Sequence, residues 1–197
     1  MDRQVTDRRI RKTKKLLRDT LVEIMNEKSI ESITVKDLTE RADLNRGTFY
    51  LHYCDIYDLL EQSENEMLQE MSKLLSKIDP SAFIEYNQKE MPYPPVVELF
   101  EWFKTNYNFG NALMGPNGEI SFLEKIKTVA KKDFFEKQHE IDEKNSNSAF
   151  SEYFDSYIIF GFLGIVKQWY ENKASIPSTE MALILLKIAL IGVRSNN

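Results

Sequence analysis

Residues that form turns, disulfides and membrane spans are scarce in this chain. Its 197 residues include only seven glycines and six prolines, and this scarcity favours helices. The single cysteine, Cys54, excludes a disulfide within the chain and is typical of a reducing compartment. The longest apolar run, residues 157–166, is too short to span a bilayer. Because the N-terminus also has no signal-peptide pattern, we expect a cytoplasmic protein without a membrane partner.

The sequence also lacks the patterns that mark enzymes and metal proteins. Its two histidines, His52 and His139, lie far apart, and neither belongs to a cluster with metal-ligand spacing. Neither a Gly-rich phosphate loop nor a nucleophile elbow is present. Neighbouring acids such as Asp142 and Glu143 are more typical of a solvated surface than of a general acid or base. We therefore predict no catalytic activity, no metal site and no cofactor.

What the chain does contain is enough apolar material for a large core. Apolar residues make up 42% of it and aromatic residues 12%. A chain of this length can hold one large domain or a small head with a larger body. We predict an all-α fold with an N-terminal head, residues 1–55, and a helical body, residues 56–197.

The charge of the chain is unevenly distributed. The net charge of −5 taken alone argues against a nucleic-acid partner. However, residues 1–55 carry 12 Lys or Arg and 10 Asp or Glu, whereas residues 56–197 carry 14 and 21. Eight basic residues fall within residues 3–18, with Asp7 as the one acid. Such a block suits the neutralisation of phosphates. Charge runs are more often solvated tails. The motif that follows this block favours phosphate contact.

Residues 34–53 have the pattern of two short helices joined by a turn. Thr34 and Asp37 form a start that resembles a capping box, and apolar residues follow at spacings of three and four. Asp43 tolerates a left-handed backbone in the turn, and Asn45 can cap the second helix, which extends to the end of the segment. This is the helix-turn-helix plan, in which the second helix enters the major groove of DNA.

Beyond the head, periodicity and turn residues outline the body. A long helix is predicted from Asp55 to about residue 78. Four of the six prolines fall within residues 79–95, which predicts a loop or a broken element. Helices fit residues 96–108 and 120–139, with a turn-rich break over residues 110–118.

The last two predicted helices, residues 151–172 and 179–194, are apolar on nearly every side. They could fill the core of a monomer, and for one isolated helix that would be the better interpretation. Two such helices in succession, in a chain whose head benefits from two DNA half-sites, favour a homodimer with a four-helix interface. The predicted interface residues are Tyr157, Gly161, Gly164, Ile165, Trp169, Leu183, Leu186 and Leu190.

The segment RGTFYLHY followed by DLL, with a basic helix before it, resembles the TetR family of bacterial transcriptional regulators. The head resemblance covers roughly residues 8–60, and GNALMGPNG and FGFLGIVKQWYEN extend it into the body. The resemblance implies a homodimer that binds double-stranded DNA at a pseudo-palindromic operator. It also implies repression, with release by a small-molecule effector bound in the body.

The resemblance places DNA contacts in the head. It implies that Thr34 contacts phosphate at a helix N-terminus, that Arg46 reaches base edges, and that Gly47 permits close approach. Phe49 belongs to the core. The predicted DNA-binding residues are Arg9, Lys12, Thr34, Lys36, Asn45, Arg46, Gly47, Thr48, Tyr50, His52 and Tyr53, of which the two tyrosines are expected to be partly buried with an exposed hydroxyl.

Two features depart from the family pattern. Asp43 stands where the family often has a turn glycine. At the start of the fourth helix, Cys54, Asp55 and Ile56 replace lysines that would face phosphate, so we expect affinity to depend more on the N-terminal arm. A redox role for Cys54 lacks an evident activating environment.

The effector site is predicted from the aromatic side chains of the body. Large aromatic side chains in the body can line an apolar pocket, but at helical spacing they can equally fill the core. We place a candidate cavity between the helix of residues 96–108 and the first of the two apolar helices. Its predicted lining is Phe100, Phe103, Tyr107, Phe154 and Tyr157.

The alternatives are an accessory or co-activating regulator without an effector, and a protein-interaction module with weakened DNA binding.

Overall fold

Every regular element in the described part of the chain is helical, which confirms the all-α prediction. The structure is a computed structural model, and it describes residues 2–115, 120–136 and 149–193. The helices are α1 (Asp2–Met25), α2 (Val35–Arg41), α3 (Arg46–Tyr50), α4 (Ile56–Leu75), α5 (Pro80–Gln88), α6 (Pro94–Thr105), α7 (Tyr107–Met114), α8 (Ile120–Ala130), α9 (Ala149–Glu171) and α10 (Ser178–Val193). A 3₁₀ turn lies at Ile30–Ser32, and a π turn at Lys131–Phe135 continues α8. None of these described helices is long and apolar enough to span a membrane.

The chain divides into two compact units. The first comprises Met1–Met67 with Asn108–Phe122, and the second comprises Leu68–Tyr107 with Leu123–Asn197. The first unit is therefore larger than the predicted head of residues 1–55. Its boundary falls inside the continuous helix α4.

The core of the first unit is built from one stripe on each of its first three helices. Leu17, Leu21 and Ile24 follow each other at spacings of four and three along α1 and are fully buried. Leu38 of α2 and Phe49 of α3 are also fully buried. Because α2 packs against both α1 and α3, the stripe of each helix fixes the orientation of the two-helix motif.

Part of α7 completes this unit. The guanidinium carbon of Arg18 in α1 lies 5.7 Å from the centroid of the Phe109 ring. Phe109 and Leu113 of α7 are buried.

The second unit has an aromatic core. Phe100 of α6 meets Trp169 of α9 edge to face, with ring centroids 5.4 Å apart. The hydroxyl of Tyr170 donates to the carbonyl of Phe103 at 2.8 Å, and its burial raises the pKa of this phenol. The indole N–H of Trp169 donates to the carbonyl of Ile176 at 3.1 Å, so the polar atoms of these large side chains have partners. α10 packs against α6 and also contacts α5.

The proline-rich segment at 79–95 is a broken helical element rather than a loop, because two of its prolines mark helix starts. Pro80 is the first residue of α5, and the Asp79 carboxylate accepts from the backbone N–H of Ser81 at 2.8 Å. Pro94 likewise opens α6. A proline is tolerated at this position because its missing N–H would have no partner within the helix.

Gly110 also lies in a helix, α7, rather than in the predicted break. Residues 116–119 of that break, and the end of the helix predicted over 120–139, lie outside the described residues.

Candidate nucleic-acid interface

The first helix of the two-helix motif begins with a complete capping box. The hydroxyl of Thr34 accepts from the backbone N–H of Asp37, and the Asp37 carboxylate accepts from that of Thr34, both at 3.1 Å. The ammonium of Lys28 donates to the same carboxylate at 2.9 Å. This ammonium and the Thr34 hydrogen bonds lower the pKa of Asp37 to about 2. The predicted cap is confirmed, and the Thr34 side chain lies exposed at a helix N-terminus.

Replacing Thr34 with alanine is expected to cost about 1 kcal/mol of unfolding free energy, because one N-terminal N–H loses its acceptor. Thr34→Ser keeps the hydroxyl and should retain most of that free energy. Urea denaturation of the three proteins measures the difference. An alanine variant as stable as the parent would show that the box contributes nothing.

The turn between α2 and α3 is tight and uses a left-handed residue, as predicted. Asp43 has a φ of 52°, and the N–H of Leu44 donates to the carbonyl of Thr39 at 2.9 Å. The carboxamide oxygen of Asn45 then accepts from the N–H of Gly47 at 2.7 Å. Asn45 is therefore the N-cap of α3, and its oxygen is already engaged in the protein.

Asp43→Val is expected to lower the unfolding free energy by about 1–2 kcal/mol, because a β-branched side chain resists a left-handed backbone. Asp43→Gly should be no less stable than the parent, since glycine adopts this conformation freely. Parallel urea titrations compare the two variants. Equal stabilities would contradict the strained geometry at this position.

Helix α3 has one buried side and one exposed side. Phe49 is buried, whereas Thr48 and His52 are half-buried. The exposed residues Arg46, Gly47, Tyr50 and Leu51 form what we call the outward face of α3. Leu51, which was not among the predicted DNA-binding residues, follows the last residue of the helix. The helix ends at Tyr50, earlier than the predicted residue 53.

Tyr53 is buried rather than partly exposed. It keeps 4% of its surface, and the Lys14 ammonium lies 5.3 Å from its ring centroid. Burial, followed by the charge of Glu66, raises the pKa of Tyr53 to about 12. The expectation of partial exposure is wrong because residues distant in sequence cover the ring. Tyr50, by contrast, is exposed as expected.

The basic block divides into an exposed part and an internally engaged part. Arg9 and Lys12 are exposed, as is Arg8. Lys14 lies 3.4 Å from the Gln62 carboxamide oxygen, and Lys15 is paired with Asp19. Arg8, Arg9 and Lys12 thus present exposed positive charge in the first half of α1, whereas the charge of Lys15, which is also exposed, is offset by Asp19. Lys36 of α2 is also exposed, 3.8 Å from the Glu40 carboxylate.

The two acids at the start of α4 cap that helix. The Asp55 carboxylate accepts from the N–H of Asp58 at 2.8 Å, as predicted, and the Asp58 carboxylate accepts from the N–H of Cys54 at 2.7 Å. Hydrogen bonds from Gln62 and from the Cys54 backbone lower the pKa of Asp58. Cys54 itself is an exposed free thiol. Asp55, the acid among the residues that replace lysine here, therefore has a structural role.

The residues predicted to line an effector cavity are not all brought together. Phe100 and Phe103 are buried, and their ring centroids lie 5.9 and 5.7 Å from that of Phe162. Phe154 and Tyr157, by contrast, are exposed on α9, Tyr157 with 67% of its surface. The hydroxyl of the fifth residue, Tyr107, donates to the carbonyl of Tyr170 at 3.2 Å.

The predicted dimer-interface residues also separate into two groups. Tyr157, Gly161 and Gly164 are exposed, and Ile165 and Leu183 are half-buried. Trp169 and Leu186 keep only 2% and 1% of their surface, because the Trp169 ring packs on Phe100 of α6, and α10, which contains Leu186, also packs on α6. These two residues belong to the protein's own core. The side chain of Leu190 lies outside the described residues.

Two exposed aromatic residues of α9, Tyr153 and Phe160, were not selected from the sequence. Their spacing with Tyr157 and Gly164 is three or four residues, which places them on one face of a helix. This spacing of three and four residues is the sequence pattern that could have identified Tyr153 and Phe160.

Comparison with known proteins identifies the family. Residues 90–190 match a TetR family model described as "Transcriptional regulator C-terminal region". The chain belongs to the TetR family. This membership makes it a transcriptional regulator rather than an enzyme.

Solved structures of regulators from two bacteria share the fold of this chain. A TetR transcriptional regulator from Streptococcus agalactiae 2603V superposes with a TM-score of 0.60 at 21% identity, covering 94% of this chain and 97% of that one. The fatty acid degradation regulator FadR from Bacillus halodurans also gives a TM-score of 0.60, at 18% identity, covering 92% and 96%.

A curated relative matches over a shorter stretch. The uncharacterised HTH-type transcriptional regulator YxbF from Bacillus subtilis is 29% identical over 59 residues. That stretch is 30% of this chain but only 16% of the length of YxbF.

Proposed function

We propose that this TetR-family regulator binds a pseudo-palindromic DNA operator as a homodimer, with α3 in the major groove. The observation that carries the proposal is the outward face of α3. Its residues Arg46 and Tyr50 are exposed beside Gly47, while Phe49 anchors the opposite side in the core. A short helix presented in this way suits groove reading, because its buried side fixes the orientation of its exposed side.

The charges around α3 suit a polyanionic partner. Thr34 and the start of α2 present a hydroxyl and a helix N-terminus, which together suit a phosphate. Arg9 and Lys12 add exposed cations from α1. Asp55 caps α4 at the position where lysines would otherwise provide positive charge. Arg9 and Lys12 of α1 supply that positive charge instead.

The dimer is supported by the exposed face of α9. Tyr153, Phe154, Tyr157 and Phe160 are exposed aromatic residues on that one helix. A contiguous apolar face of this kind on a soluble domain is typical of an association surface. An operator with two half-sites requires two such heads.

Selection of DNA from a random library tests the proposal, followed by gel shifts of the selected sequence over a range of salt concentrations. We expect an inverted repeat whose half-sites lie about 34–36 Å apart, and a binding constant that falls steeply with salt. The absence of any retarded band at low salt would contradict DNA binding and favour a protein-interaction module.

Repression, which the family resemblance implies, needs a separate test. A promoter carrying the selected operator should drive a reporter less strongly when the protein is present. Increased expression would identify an activator instead.

A regulator without an effector is the second candidate, and one observation favours it. The rings of Phe100, Phe103 and Phe162 occupy the region between α6 and α9 in which the effector cavity was predicted. Thermal-shift measurements against a metabolite library separate the candidates, because a ligand that binds the folded state raises the melting temperature. Stabilisation by one compound, together with release of operator DNA, would establish an effector.

A further inference from the structure

Leu51 is the most exposed of the large apolar side chains that the structure describes. It keeps 80% of its solvent-accessible surface, whereas most leucines of the same unit are buried. Single exposed apolar residues are common on protein surfaces and by themselves indicate nothing. The position of Leu51 on the recognition helix is what gives its exposure a meaning.

Leu51 continues the outward face of α3. Its backbone N–H donates to the carbonyl of Gly47 at 3.2 Å, so residue 51 lies one helical turn beyond residue 47. Phe49 and Tyr53, which are also separated by four residues, occupy the buried side. Leu51 therefore lies on the same side as Gly47 and not on the side that faces the core.

Gly47 leaves the surface beside Leu51 shallow. Its backbone φ is not in the left-handed region, so the conformation does not demand glycine. A Cβ atom at this position would meet only the Asn45 carboxamide oxygen, at 3.2 Å. The absent side chain lets a partner surface approach the helix at this point.

An isobutyl side chain can read only one feature of the major groove. It has no hydrogen-bond donor or acceptor, so the polar base edges offer it nothing. The C5-methyl group of thymine is the apolar group that the groove displays.

We propose that Leu51 is a specificity-determining residue that contacts the C5-methyl group of a thymine in each operator half-site. This proposal rests on the proposed function, because it requires α3 to enter the major groove. Leu51 is five residues beyond Arg46, which is roughly 7.5 Å along a helix. Since base pairs are spaced about 3.4 Å apart, the thymine should lie about two base pairs from the base that Arg46 reads.

Replacing thymine with deoxyuridine, one position at a time, tests the contact because it removes only the methyl group. With the parent protein, one position in each half-site should weaken binding about three- to ten-fold. Leu51→Ala should lose a similar factor on the thymine operator and should not distinguish deoxyuridine from thymine at that position. Leu16→Ala, a change at another exposed leucine of the same unit, should bind like the parent and keep the distinction.

The possible failures are distinguishable. If the parent protein binds no DNA at low salt, the proposed function itself is wrong. If it binds the selected operator but tolerates deoxyuridine at every position, the thymine contact is wrong and DNA binding stands. If Leu51→Ala binds more weakly yet still distinguishes the two bases, Leu51 does not read the methyl group. Urea denaturation confirms that each variant is folded.

Discussion

Replacing Arg46 with alanine is expected to weaken operator binding by about 1–3 kcal/mol and to relax the preference for one base pair in each half-site. Arg46 is the first residue of α3, where the side chains of a recognition helix reach base edges. It is exposed, and among the residues that the structure describes none forms an ion pair or a side-chain hydrogen bond with it. Its guanidinium is therefore available for a bidentate contact with guanine.

The controls for Arg46 come from α1. Arg9→Ala and Lys12→Ala remove exposed cations that suit phosphate, which carries no sequence information. Each should weaken the selected operator and unrelated DNA alike, and each should reduce the salt slope by about one. Competitive gel shifts with operators changed at single positions measure both effects. If Arg46→Ala also weakened all sequences equally, a base-reading role would be excluded.

Local features of the head could be predicted from the sequence because neighbouring residues determine them. The capping box of Thr34 and Asp37 spans four residues, and the left-handed turn requires only a residue such as Asp43 that tolerates it. The buried stripe of α1 follows in the same way from helical period. None of these features depends on how distant parts of the chain fold.

Features that depend on distant residues were not predicted. The burial of Tyr53 requires α1, whose Lys14 lies over its ring. The separation of Phe100 from Tyr157 depends on which side of α9 the other helices cover, and an all-round apolar sequence does not contain that information. Prolines were ambiguous for a different reason, since Pro80 can either break one element or begin the next.

The dimer prediction was affected by the all-round apolar sequence of α9 and α10, which does not show which residues the chain itself buries. Trp169 and Leu186 were assigned to a partner, yet the chain buries them itself. What α9 leaves exposed is a narrower face, in which Gly161 and Gly164 lie among aromatic residues. A test of dimerisation therefore has to change this face without disturbing the core.

Gly164→Glu is expected to dissociate the proposed dimer and to lower affinity for the two-half-site operator by more than about 100-fold. A Cβ atom at Gly164 would meet nothing within 4 Å in the protein's own chain, and the same holds at Gly161. The monomer therefore accepts the new side chain, and replacing a helical glycine should even raise helix stability by about 0.5–1 kcal/mol. A carboxylate buried against a second copy would instead be desolvated without a partner.

Sedimentation equilibrium and gel shifts on the same preparations measure the two effects of Gly164→Glu together. Met91→Glu is the matched control, since it places the same charge on another exposed apolar residue of the second unit, outside α9 and α10. It should remain dimeric and bind the operator like the parent. For Gly164→Glu we expect a folded monomer that retains weak, salt-sensitive binding to single half-sites, because its α3 is untouched. A variant that stayed dimeric with full operator affinity would show that this face of α9 is not the interface, and the aromatic residues around Gly164 would then need a different partner.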